Sequence, residues 1–105
     1  MKFKILTKRA SEPMKEIPSS AKSYKKTPEF TEETVPPGLL KAHQTKAGTW
    51  GKINVTQGNL TYRILEPEFE ELHLSCEKFG VVEPTVLHEV EPQGKVRFHV
   101  EFFRE

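Results

Sequence analysis

The stretch Val96-Arg97-Phe98-His99-Val100-Glu101-Phe102 alternates apolar and polar side chains at every step. A period of two gathers apolar side chains on one face only when the backbone is extended, because successive side chains of a strand point to opposite sides. The same period runs through Ile53 and Val55 with Lys52 and Asn54 opposite, and through Leu60, Tyr62 and Ile64 with Thr61 and Arg63 opposite. It continues in Leu72 and Leu74, and in Val86, His88 and Val90. Gln57-Gly58-Asn59, Glu66-Pro67-Glu68 and Pro92-Gln93-Gly94 carry turn-forming residue types between these runs. The pattern predicts about six short strands joined by hairpins, an all-β chain folded as a small antiparallel barrel or sandwich.

Before Gly38 the pattern is different. Pro13, Pro18, Pro28, Pro36 and Pro37 each oppose a continuing helix or a central strand. This part is expected to be an extended, partly disordered N-terminal arm, flexible over residues 1–23, with the β-domain spanning 24–105. The charge divides in the same way: residues 1–26 hold eight basic and two acidic side chains, whereas residues 27–105 hold eight basic and thirteen acidic ones. An acidic body argues against binding a phosphate backbone, and the arm lacks the interleaved aromatics of a single-strand binder, so no nucleic acid is expected. The absence of aspartate removes the commonest carboxylate for magnesium-assisted phosphoryl chemistry.

A chain of 105 residues suffices for one domain, and burial of roughly 65% of its unfolded surface permits a core without disulfides. The lone Cys76 has no partner for an internal bridge and is expected to act as a small buried hydrophobe. The N-terminus lacks the apolar core of a signal peptide, and no run approaches a membrane span. A cytoplasmic protein without membrane contact is the expectation.

Four histidines are the candidates for chemistry. His88 shares its face with Val86 and Val90, so it points inward, where an imidazole needs partners for its ring nitrogens. It is either a core histidine bonded to a backbone carbonyl or a glutamate, or a ligand or acid–base group lining a pocket. His43, ahead of the turn Thr45-Lys46-Ala47-Gly48, could reach a barrel mouth. His73 and His99 alternate outward with charged residues and read as solvated. Trp50 reads as core or rim packing, with ligand stacking as its alternative, and Lys46 could meet an anion. No GxSxG, glycine-rich phosphate loop or HExxH occurs.

The stretches YKKTPEFTEETVPPGLLKAHQTKAGTWGKINVTQGNLTY, VVEPTVLHEVEP and VRFHVEFFRE resemble the TehB/YeaR-like domain family, a tellurite-resistance-related family of unknown function. The resemblance runs from Tyr24 to Glu105. It is most specific in His43-x-Thr45-Lys46-x-Gly48-x-Trp50-Gly51 and Val82-Glu83-Pro84-x-x-x-His88-x-Val90. It implies a cupin-like β-barrel in its short, stand-alone form and suggests Met14 as the native start. Metal-binding cupins supply two histidines and a glutamate from a first motif and one histidine from a second. His88 fits the second, while the first is degenerate around His43. The resemblance therefore implies a site from His43 and His88, with Glu83 or Glu101 as further donors, for a divalent metal such as zinc, iron or manganese. The alternative is a small ligand, anions included, in a pocket lined by Ile53, Val55, Tyr62, His88 and Phe98, with His43, Lys46 and Trp50 at its mouth. No methyltransferase cofactor motif is present in these residues, so a binding protein is expected before an enzyme. The alternatives are a metal-dependent cupin oxygenase, isomerase or hydrolase using His43 and His88, and a homodimeric interaction module.

Overall fold

The computed structural model describes residues 16–105, so the basic extension and the Met14 start lie outside the described residues. Six strands form one antiparallel sheet: β1 (Lys22–Lys26), β2 (Phe30–Thr31), β3 (Thr49–Glu66), β4 (Glu70–Leu74), β5 (Gly80–Val82) and β6 (Leu87–Arg104). A short 3-10 helix at Pro37–Leu40 crosses between β2 and β3. The all-β class read from the alternation is what the chain adopts, and β1 begins at Lys22, two residues before the expected domain boundary. Among the described residues no helix is long and apolar enough to cross a membrane.

Two of the expected hairpin turns are not turns. Residues 49–66 form one strand and residues 87–104 another, paired from Thr49↔Arg104 to Glu66↔Leu87. The ladder slips between Val55 and Gln57, between Gly58 and Asn59, and between Ile64 and Glu66. Each slip is a bulge that bends the ribbon and adds local twist. Gly58 and Gly94 have φ of 82° and 75°, a left-handed backbone that suits glycine. At Gly58 an added Cβ would sit 2.1 Å from the Lys95 carbonyl oxygen. The glycines that look like hairpin tips in the sequence are thus what lets two long strands fold over without separating.

Bending divides the ribbon into two halves. In one, β5 pairs with residues 51–53 of β3, while β1 and β2 pair with the far edge of β6. In the other, β4 pairs with residues 60–64 of β3. The concave sides of both halves supply the core, which includes Ile53, Val55, Leu60, Tyr62, Leu74, Val90, Val96, Phe98 and Val100. Phe30 from β2 meets Phe98 edge-on at 5.7 Å between ring centroids. On the convex side Arg63 bonds Glu71 at 3.0 Å, Glu89 at 2.9 Å and Glu91, joining three adjacent strands. Hydrogen bonds to Glu91, Glu89 and Glu71 push the Arg63 pKa further up and keep it charged.

Cys76 departs from expectation, being exposed. Ser75 and Lys78 exchange backbone hydrogen bonds of 3.2 and 3.0 Å, so Cys76 and Glu77 form the tip of a two-residue turn. The apolar face ends at Leu74. The β1 edge carries Lys22, Lys25 and Lys26, all exposed, and lysines on a sheet edge discourage edge-to-edge pairing.

If Gly58 is required by the bend, Gly58→Ala should destabilise the fold by about 2 kcal/mol or more through left-handed strain and the clash with Lys95. A loss below about 0.5 kcal/mol in urea unfolding, where most surface substitutions fall, would mean that the ribbon accommodates a side chain there.

Candidate functional site

The bend and the crossing segment enclose a cavity of about 350 Å³. Its floor comes from one half of the ribbon, where Gly51, Ile53, Val100 and Phe102 share the concave face. Gly51 keeps this floor low, since an added Cβ would approach Val82 Cβ to 3.3 Å. Phe30, Pro36 and Leu39 form the opposite wall, and His88 and Val90 close the side from the other half of the ribbon. Among the described residues no Asp, Glu, Lys or Arg lines it.

His43 and His88 meet at this wall. Their backbones exchange two hydrogen bonds of 2.9 Å, tying the crossing segment to the edge of β6. The two rings lie 4.1 Å apart, tilted by 54°. His88 is buried at 4% exposure, and His43 is half-buried. His88 Nδ1 donates to the Val86 carbonyl at 3.0 Å, and His43 Nδ1 to the Lys41 carbonyl at 3.2 Å. A carbonyl can only accept, so Nδ1 carries the proton in both rings and Nε2, at the far end, is the atom a ligand would meet. Burial lowers the His88 pKa to about 4, opposed by the bond to Val86 and helped by the neighbouring His43. His88 is therefore neutral near pH 7.

The expected site residues divide clearly. His43, His88, Ile53 and Phe98 line the cavity. Tyr62 lies beside it, its ring 5.8 Å from that of His88, but its hydroxyl donates to the Val81 carbonyl at 3.1 Å. Burial raises its pKa, so it stays a neutral structural donor. Val55 joins the core outside the lining. Trp50 pairs with Phe103, one residue out of phase with Gly51 and Phe102, so it occupies the convex face and is not at the mouth. Lys46 is exposed in the turn before β3 and does not reach the cavity.

The two glutamates proposed as further metal donors are also elsewhere. Glu101 pairs with Lys52 on the convex face, and half-buried Glu83 is not a lining residue. A zinc or iron centre of the cupin kind needs at least three protein donors. Among the described residues no group of three or more His, Cys, Asp or Glu side chains is placed to hold a metal ion. The donors present do not fit such a centre. Sequence reasoning missed the wall formed by Thr27, Phe30, Pro36 and Leu39, although the apolar cluster Pro36-Pro37-Gly38-Leu39-Leu40 inside the presumed arm was its signal.

The fold and site define a small β-domain with a histidine pair in an apolar cavity. Residues 25–100 match the model of the TehB-like domain, and the chain belongs to that family. A probable S-adenosyl-L-methionine-dependent methyltransferase TehB of Haemophilus influenzae strain KW20 is 33% identical over 72 residues, which are 65% of this chain and 25% of the relative. The chain thus spans about a quarter of that protein's length. The crystal structure of TehB from Haemophilus influenzae superposes with a TM-score of 0.77 at 28% identity, covering 83% of this chain and 32% of that one. A crystal structure from Escherichia coli K12 has a TM-score of 0.78 at 23% identity, covering 86% of this chain and 96% of the other. The latter likeness is one of fold.

His88 makes stability depend on pH. Its folded pKa of about 4 lies below the ordinary 6.5, so protons bind the unfolded chain preferentially between those values. Its stabilisation is complete above pH 6.5 and falls by about 3 kcal/mol as the pH drops to 4. Urea unfolding across this window should show the loss, and His88→Phe should remove it. Exposed Glu29 and half-buried Glu32 have pKa values lowered from 4.5, by hydrogen bonds from Thr56 and from the Val96 N–H respectively, so their effect comes at lower pH. An unchanged pH slope in the variant would show that His88 is not buried in its neutral form.

Proposed function

We propose that this domain binds a small, largely apolar molecule in the cavity, with His43 and His88 as its polar anchor. One observation carries the reading: two imidazoles in contact, tied by a mutual backbone bridge, stand in a wall whose other described side chains are apolar apart from Thr27 and Thr45. A volume of about 350 Å³ falls within the usual range for small-molecule sites. A cavity of about 150 Å³ holds benzene, so a substituted aromatic or a bicyclic molecule is the size class that fits. If the imidazoles served packing alone, an aliphatic side chain would fill the same wall without polar atoms to satisfy.

Ligand capture is thus the role assigned here, separate from the methyl transfer named for the longer relatives. The matched quarter of those proteins contains the counterpart of this domain, and the relation to tellurite resistance enters through the family alone. Fold and family membership carry no substrate by themselves. The metal-dependent enzyme reading lacks a third donor among the described residues.

A thermal-shift screen of small aromatic and alicyclic compounds tests the reading. A compound at a hundred times its Kd should stabilise the protein by about 2.7 kcal/mol, a shift of roughly 10 °C or more for a domain of this size. Val90→Phe, which places a ring in the cavity, should abolish the shift for the same compounds. Equal shifts in both proteins would locate binding elsewhere, and no shift with any compound would count against the cavity as a site.

A further inference from the structure

The cavity's polar side chains share one chemical character, and this gives the ligand a class. Among the described residues, only Thr27 and Thr45 besides the two imidazoles bring side-chain polar atoms to the lining. Thr45 Oγ1 donates to the Thr49 carbonyl at 2.9 Å. Thr27 Oγ1 donates to the Pro28 carbonyl at 2.9 Å and accepts from the Val100 N–H at 2.9 Å. Both hydroxyl protons are therefore already engaged by the backbone. The Nδ1 protons of His43 and His88 are engaged in the same way, by Lys41 and Val86. What the side chains have left for a ligand is lone pairs: Nε2 of the buried His88 ring, Nε2 of His43 in its Nδ1–H tautomer, and the threonine oxygens.

We propose that the cavity selects an uncharged molecule with an apolar body and a hydroxyl or N–H donor, and rejects oxyanions, tellurite included. This rests on the preceding reading of the cavity as a binding site. A carboxylate offers only acceptors and any oxyanion adds a charge, so either would lose its hydration in the cavity without compensation. Among the described residues no lysine or arginine lines the cavity to offset that loss, and Lys46 is exposed outside it. An alcohol, phenol or heteroaromatic N–H instead donates to Nε2 of His43 or His88 and lays its body on Phe98, Ile53 and Leu39. Two acceptors side by side suit a single donor shared between them or a ligand with two donors.

The test uses the whole chain with isotope-labelled histidine. A long-range proton–nitrogen correlation spectrum reads each tautomer directly; both rings should carry the proton on Nδ1. The probes are p-ethylphenol, its isomer p-methylanisole, which has no donor, p-ethylbenzoate and tellurite. The phenol should bind roughly two- to tenfold tighter than the ether, the worth of one net hydrogen bond, and shift the Nε2 resonances, while benzoate and tellurite leave them unmoved. In His43→Phe and in His88→Phe that preference should shrink, and either variant serves if the other fails to fold. A proton on Nε2 in either ring, equal binding of phenol and ether, or tighter binding of benzoate or tellurite would overturn the selection rule while leaving the cavity a binding site. Failure of every neutral probe to perturb the histidine signals would remove the binding site, and the rule with it.

Discussion

The bend in the β3–β6 ribbon is the constraint on which the rest of the molecule depends. A flat strand of eighteen residues would reach about 60 Å, well beyond the 46 Å of the molecule's longest dimension. Glycine at position 58 lets the two backbones pass at contact distance, and Gly94 supplies a second left-handed residue, while the ladder slips and resumes. Because the strands stay paired through the bend, Phe98 on one half and His88 on the other face a common space although ten residues separate them. A true hairpin at either glycine would have let the halves pair independently. It would not have fixed their angle.

The space so created is closed by a segment with little sheet structure of its own. Residues 32–48 cross from β2 to β3, held at one end by β2 on β6 and in the middle by the backbone bridge of His43 with His88. The position of the second imidazole is therefore set by main-chain bonds, and the ring orientations by carbonyls two residues away. Such a site is defined before any ligand arrives, which is the arrangement that costs least to occupy. Burial then keeps His88 neutral, so its Nε2 presents a hydrogen-bond acceptor where an exposed histidine would carry variable charge.

Much of this was legible in the sequence where the physics is local. The alternation from Val96 to Phe102 and from Val86 to Val90 gave the buried faces, and with them the inward aim of His88 and Phe98. Gly58 and Gly94 were misread because a left-handed glycine flanked by polar residues has the same local signature in a hairpin and in a bulge. What separates the two is whether the flanking strands pair with each other or with a third, and that is a long-range fact. The alternation already set Glu101 opposite Phe98 and Val100; what failed was its role as a metal donor and the place of Trp50 at the mouth, since family motifs mark which residues are present, whereas the pleat decides which side they occupy. The covering wall was hidden by its prolines, which exclude a central strand yet suit a crossing segment packed on apolar side chains.

The boundaries of the family match bear on which part of the chain carries the site. Residues 25–100 contain every element that builds the cavity, including its first wall residue, Thr27, both histidines, and each lining residue of β6 except Phe102. The matched segment is thus the cavity-forming unit, and the basic residues before it contribute nothing described to that enclosure. In relatives four times as long, the same unit accounts for about a quarter of the chain. A domain that recurs both within a longer protein and over 96% of a separate chain of similar fold has a structure that closes on itself. The chemistry of its cavity follows from residues inside that unit, so it can be worked out without reference to whatever reaction the rest of a longer chain performs.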